Sequence, residues 1–342
     1  MKKIRTWLWI GIIMVLIQVL LGGITRLTGS GLSITEWDLI MGAIPPTNEH
    51  QWIEAFDKYK DFPQYNLVNQ DMTIGGFKKI FFWEYLHRNW ARLIGLVFII
   101  PFIYFLIKRK LNKEWKIKLI FLLLLGGLQG LMGWIMVASG LIDTPWVSPY
   151  NLTIHLILAL ITFLYLLWLV FSLDEKNNSA DHPVANKGIK WILIIVLLQI
   201  IFGGFMAGTK AGLTYTTYPL MDGKFFPPNF FLFDSFLQNI FENTAAINFI
   251  HRTLAAVVVI SIIIFLIQNI KYSSKIIRSG VMFLLLMIIV QFLLGVFTLL
   301  SGRNGEISIV TGVIHQFGAF IVAGICIYIL YYSKRRIVLH IK

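Results

Sequence analysis

Thiol chemistry is almost absent from the sequence. Its 342 residues hold one cysteine, Cys326. No disulfide can form within the chain, and no cysteine-rich zinc site can be built. Cys326 falls inside an apolar run, where a small thiol serves as a packing residue. Charge is scarce as well: 14% of residues are charged and 57% are hydrophobic, with a mean hydropathy of +0.74. A soluble domain of that composition would expose large adhesive patches, which excludes a soluble globular protein. Acidic residues are the scarcer sign, 17 Asp and Glu against 30 Lys and Arg, for a net charge of +13. In a soluble chain that surplus would point to nucleic acid. Its placement points elsewhere.

The apolar residues fall in eight blocks, at 5–24, 85–107, 117–138, 152–173, 189–208, 247–270, 279–300 and 309–332. Each has roughly the 20 residues needed to cross the hydrocarbon core of a bilayer. The first block is expected to be a retained span. It is long, and its end, "LGGITRLTGSG", lacks the small-x-small pattern of a cleavage site. With the N-terminus inside, the inner segments carry 19 of the 30 Lys and Arg and only 4 of the 17 Asp and Glu. Basic residues are retained on the cytoplasmic side. Both termini are therefore expected in the cytoplasm, the long 25–82 loop outside, and the protein as a multi-pass component of the cell inner (plasma) membrane. The basic surplus follows from topology. Membrane lipid is the expected surrounding, and no nucleic-acid partner is implied.

The chain repeats itself. "IQVLLGGITRLTGSGLS" (17–33) aligns with "LQIIFGGFMAGTKAGLT" (198–214), and "YLHRNWA" (85–91) with "FIHRTLA" (249–255). "QGLMGWIMVASG" (129–140) aligns with "QFLLGVFTLLSG" (291–302), and "TIHLILA" (153–159) with "VIHQFGA" (313–319). Each copy holds four spans, an even number, so both enter the membrane in the same direction, as parallel repeats do. The expected fold is an all-α polytopic membrane protein, with eight transmembrane helices as two pseudo-symmetric four-helix bundles. Residues 1–174 form the N-terminal half, 175–188 a cytoplasmic linker and 189–342 the C-terminal half.

Four histidines recur with the repeat: His87, His155, His251 and His315. They sit on spans 2, 4, 6 and 8, each expected a few residues past the outer helix end and so at similar depth. His50, His182 and His340 have no repeat partner and receive no role. A histidine inside a membrane span is a functional candidate, although a single one serves equally well as an interhelical hydrogen-bonding residue. Zinc usually requires Cys or additional carboxylates. Paired neutral imidazoles facing each other across a bundle suit the axial positions of a haem iron. Alanine follows each histidine by four residues, on the same helix face, leaving room for a flat macrocycle or for close helix packing. Gly22–Gly23, Gly126–Gly127, Gly203–Gly204 and Gly295 carry the same ambiguity.

The copies differ three residues before the first histidine of each, where one has Glu84 and the other Asn248. Residues three apart share a helix face, so Glu84 is expected to point toward the space that His87 faces. Partial burial fits a carboxyl group for proton exchange near neutrality. An ion pair with Arg88, four residues on, is the structural alternative, and both roles can coexist. Arg88 and Arg252 occur in both copies. They suit haem propionates through bidentate pairing, or headgroups at the interface. Arg26 and Lys210 are weaker candidates of that kind.

Taken together, "GGITRLTGSGLSITEWDLIMGAIPP", "FFWEYLHRNWARLIG", the two His-Arg motifs and the four repeated histidines make the chain resemble the heme A synthase family over essentially its whole length. The absence of loop cysteine pairs and the long 25–82 loop resemble the mitochondrial and alphaproteobacterial-type branch. The resemblance implies an oxidoreductase that oxidises a methyl group of haem O to the formyl group of haem A, the cofactor of terminal cytochrome oxidase. It implies haem b as cofactor on His251 and His315, the haem O substrate at His87 and His155, and Glu84 as the essential acid. It further implies heme O synthase as a protein partner and an electron acceptor that the sequence does not identify. Mechanisms that need loop thiols are excluded. Two other readings of the residues remain at this stage: a non-catalytic two-haem cytochrome relaying electrons, and a transporter of an amphipathic molecule built on parallel repeats.

Overall fold

The structure, a computed structural model, describes residues 1–36, 43–142, 144–173, 183–269 and 274–333, with side chains of 183 and 184 left aside. Eight of the helices among these residues are long and apolar enough to cross a membrane. They are α1 (Lys2–Leu27), α4 (Ile74–Ile107), α5 (Lys113–Ser139), α6 (Pro149–Ser172), α7 (Pro183–Gly208), α9 (Thr244–Asn269), α10 (Lys275–Ser301) and α11 (Ile309–Tyr332). Three short helices lie between them: α2 (Glu49–Lys60), α3 (Pro63–Val68) and α8 (Phe236–Glu242). Apart from one isolated bridge between Met221 and Lys224, no strand occurs among the described residues.

Local chemistry sets the helix starts. Thr73, Asn112 and Ser274 each accept a hydrogen bond from a first-turn N–H, of Gly76, Trp115 and Ile277 respectively. Pro149 and Pro183 occupy first helical positions, where a missing N–H costs nothing. Most of the linker expected at 175–188 lies outside the described residues, and its end, 183–188, is helical.

The spans match the apolar blocks closely, with one exception. α4 is 34 residues long and begins at Ile74, well before the expected 85. The extension is held by an aromatic core outside the span. Phe77 and Tyr59 are fully buried, and Phe56 and Phe81 nearly so. Phe77 stacks on Phe56 at 5.0 Å, and Trp52 meets Phe81 edge-on at 5.0 Å. The Tyr59 hydroxyl donates to Gln64 Oε1 (3.0 Å) and accepts from Asn69 Nδ2 (2.8 Å), and Gln64 Nε2 ties the group to the Gly29 carbonyl (3.0 Å). Burial pushes the Tyr59 phenol pKa upward. Within the 25–82 segment, expected as a loop, α2 and α3 thus pack with the start of α4 as a small helical cap, and residues 37–42 lie outside the described residues.

By contact, Ile10–Thr162 with Ser308–Val313 form one compact unit, and Met1–Trp9, Phe163–Ile307 and Ile314–Lys342 form the other. In the second unit the end of α6 packs on α11 through Phe163–Phe320, Trp168–Tyr331 and a cluster of Phe171 with Tyr328, Tyr331 and Tyr332. Gly324 lets this approach occur, since a Cβ there would lie 3.1 Å from Leu167. Cys326 is fully buried on the same helix, as a packing residue should be.

Candidate functional site

Each of the four histidines is held by the same device. The preceding odd-numbered span, in order α1, α5, α7 and α10, presents a glutamine and, four residues later, a glycine. Those pairs are Gln18 and Gly22, Gln129 and Gly133, Gln199 and Gly203, and Gln291 and Gly295. Residues four apart share a helix face, so both meet the same imidazole. A Cβ on the glycine would fall 3.1 Å from His87 Cε1, 3.0 Å from His155 Cε1, 3.3 Å from His251 Cε1 and 2.9 Å from His315 Cε1. A Cβ would crowd each ring, most severely that of His315.

The glutamine amide secures the same residue. Gln18 Nε2 lies 3.2 Å from both ring nitrogens of His87 and donates to its main-chain carbonyl at 3.2 Å. Gln129 does so for His155 (3.2 Å to Nε2, 3.1 Å to the carbonyl), and Gln291 for His315 (3.1 Å to Nδ1, 2.6 Å to the carbonyl). Gln199 Nε2 lies 3.3 Å from His251 Nε2. The Oε1 atom of all four glutamines is buried and unpartnered. The glutamine spacing was present in the aligned strings but its role was not recognised there. Of the two readings of Gly126 and Gly127, close helix packing is not seen, because nothing lies within 4 Å of a Cβ on either, and Gly133 is the residue that meets His155.

His155, His251 and His315 lie within two turns of their helix starts at Pro149, Thr244 and Ile309. His87 lies more than three turns into α4, because α4 starts early. The expectation of a place a few residues past the helix start fails for His87 for that reason.

Glu84 is 2% exposed and receives four donors. Ser33 N, Ser33 Oγ and Ile34 N bond Oε2 at 2.7, 2.7 and 2.8 Å, and Arg88 Nη2 bonds Oε1 at 2.6 Å. The Glu84–Arg88 ion pair expected from the spacing is therefore present. Arg88 also donates to the carbonyls of Ile34 (2.8 Å) and Glu36 (3.3 Å). In the second copy Asn248, fully buried, donates to the Ala211 carbonyl at 2.7 Å and leaves its Oδ1 unpartnered. Arg252 donates to the Tyr215 carbonyl at 2.8 Å, the repeat equivalent of the Arg88–Ile34 bond. Its Nε and Nη1 are buried with no partner. One copy thus closes its guanidinium on an acid, and the other leaves two buried donors for an anion to fill.

The His251 and His315 rings are 6.5 Å apart between centroids, at 81°. An imidazole nitrogen ligates a metal at roughly 2 Å and its ring centre lies roughly 1 Å behind. Two rings sharing one iron are thus about 6 Å apart. Among the described residues no group of three or more His, Cys, Asp or Glu could hold a bare metal ion. A porphyrin iron needs only two axial ligands from the protein, and a carboxylate-bearing macrocycle would use the Arg252 donors. The donor set therefore fits a haem.

His50 lies on the exposed face of α2, beside Glu54, Asp57 and Asp61, away from the repeat. His182 and His340 fall outside the described residues. Arg26 lies in the last turn of α1, and Lys210 in a left-handed turn before the short 3₁₀ helix Ala211–Leu213.

Residues 5–327 match the profile of a family described as "Cytochrome oxidase assembly protein". The chain is 42% identical over 337 residues to a protein named heme A synthase from Flavobacterium johnsoniae, covering 96% of this chain and 97% of that one. It is 44% identical over 340 residues to a heme A synthase from Flavobacterium psychrophilum, covering 97% and 99%. It is 40% identical over 338 residues to a heme A synthase from a Wolbachia of Brugia malayi, covering 98% of each.

Proposed function

The chain belongs to the cytochrome oxidase assembly protein family, and from that premise we propose that it is a heme A synthase. The reaction is oxidation of a methyl substituent of haem O to the formyl group of haem A, destined for terminal cytochrome oxidase. The carrying observation is the inequality of two otherwise matched histidine elements: a buried acid with four donors in one, a buried amide and an incompletely paired guanidinium in the other. A symmetric electron relay has no use for an acid in one copy alone.

In this reading His251 and His315 hold haem b, with Arg252 on a propionate. Haem b, when bound, supplies one-electron redox chemistry. His87 and His155 hold the substrate haem O, and Gln18 and Gln129 set their ring orientation. Arg88 is already committed to Glu84 and two carbonyls, so it orients the acid more than it binds substrate. Glu84 handles the protons of methyl oxidation. Three donors occupy Oε2 and one occupies Oε1, so Oε1 is the oxygen with a lone pair left to take a proton. The protein is placed in the inner membrane with both termini cytoplasmic and the α2–α3 cap outside, and its two repeats form two four-helix bundles. Heme O synthase, as the source of substrate, and an electron acceptor are its proposed partners.

The test is to supply haem O to cells that express the protein and to analyse extracted haems. Haem A is expected. Its absence under oxidising conditions, in protein that retains haem b, overturns the reading.

A further inference from the structure

The segment between α7 and α9 buries Tyr215, Met221 and Phe230, and beside them it buries two asparagines. Asn239, 1% exposed, accepts from Leu232 N and Phe233 N through Oδ1 and donates to the Phe233 and Ser235 carbonyls. Asn243, 3% exposed, donates to the carbonyls of Asn229 and Phe230 and accepts from Ala245 N. Large apolar side chains between 225 and 237 are turned outward: Phe225 is 80% exposed, Phe231 67%, Leu232 64%, Phe236 62% and Leu237 64%. Within "FFPPNFFLFDSFL" (225–237) the single charge is Asp234. Water selects the opposite arrangement, and the α2–α3 cap shows it, with Tyr59 and Phe77 inside and Glu49, Glu54, Asp57 and Asp61 on its surface.

The segment also runs alongside the spans rather than beyond them. Arg252, which bonds the Tyr215 carbonyl, lies eight residues into α9, about 12 Å below its start. Tyr218 meets Phe292 edge-on at 6.0 Å, and Phe292 lies nine residues before the end of α10, about 14 Å below it. Phe225, Phe226 and Phe230 all pack on Phe249 in the second turn of α9. The exposed side chains of the segment therefore lie beside α9 and α10, on which Leu293 and Phe297 are also exposed.

We propose that residues 225–237 are embedded in the outer leaflet, their phenylalanine and leucine side chains among lipid acyl chains, as a monotopic element between two spans. A row of exposed aromatic side chains is what the membrane interface accepts, and Asn239 and Asn243 take up backbone groups of residues 229–235 from the inside. The inference rests on the surface of this segment and not on the chemistry assigned above.

Spin labels on single introduced cysteines test it in nanodiscs of phosphatidylethanolamine and phosphatidylglycerol. Cys326, fully buried, stays in place. Phe231→Cys and Leu237→Cys are compared with Leu293→Cys on the span and His50→Cys on the cap. Labels at 231 and 237 are expected to respond to oxygen and to lose the response to a water-soluble nickel chelate, as at 293, with the reverse at 50. A nickel response equal to that at 50 overturns the proposal. Insensitivity to both agents overturns it as well, since a second copy of the chain would then cover the segment. Each position is read separately, so one well-folded variant decides.

Discussion

The two copies of the histidine element hold their imidazoles alike and furnish the neighbouring position differently. In both, a glutamine and a glycine from the preceding span fix the ring, and an arginine one residue after the histidine bonds a carbonyl of the segment that follows that span. In the first copy Glu84 adds a carboxylate that fastens residues 33–34 to α4. In the second, Asn248 binds one carbonyl and leaves Arg252 with two unpartnered donors. A duplicated scaffold has kept the glutamine–glycine cradle around each imidazole and diverged in the charged groups beside it. That is the pattern expected when one copy retains a cofactor and the other turns over a substrate.

The largest effect should come from removing a ligand. His251→Ala or His315→Ala is expected to abolish low-spin haem b, read from the spectrum of the reduced, purified protein. Full retention in both variants would remove the second copy from the cofactor role. Next, Glu84→Gln keeps size and most hydrogen bonds but removes the exchangeable charge. Haem A formation should fall by about 100-fold or more with bound haem b unchanged. An active variant would make the acid purely structural.

Gly295→Ala sets a methyl 2.9 Å from the His315 ring. Overpacking of this kind costs about 1–3 kcal/mol, seen as weakened haem b retention and a shifted spectrum. Asn248→Glu would offer Arg252 a partner four residues away, as in the first copy. The added negative charge should lower the haem b midpoint potential in a redox titration, and an unchanged potential would place Arg252 away from the haem. The smallest effect belongs to Gly126→Ala, where a Cβ meets nothing within 4 Å. Thermal unfolding should move by no more than about 1 kcal/mol, in the stabilising direction.

Much of the fold is legible in one dimension. Blocks of apolar residues bounded by charge give the spans, and the block at 309–332 coincides with α11. The early start of α4 was not legible. "TIGGFKKIFFWE" carries two lysines and two glycines and looks like a loop until Phe77 and Phe81 find Phe56 and Tyr59 to pack on. At the site, histidines and acid stood out because polar groups are rare in spans. The glutamines also recur at fixed spacing, yet their meaning depends on which imidazole they reach across the helix gap, and Gly133, though it aligns with Gly295 in the repeat, takes its role only from the His155 ring it meets.

The sequence alone determined the span count, the duplication, the four histidines and the presence of an acid in one copy only, because composition and spacing are properties of the chain itself. Tertiary structure decided which glycine admits each ring, that Glu84 is bound by Ser33 and Ile34 some 50 residues away, and that the segment after α1 buries Tyr59 and Phe77 while its counterpart after α7 turns phenylalanines outward. Those outcomes depend on groups brought together by folding, and on hydrogen bonds whose donors and acceptors lie on different elements.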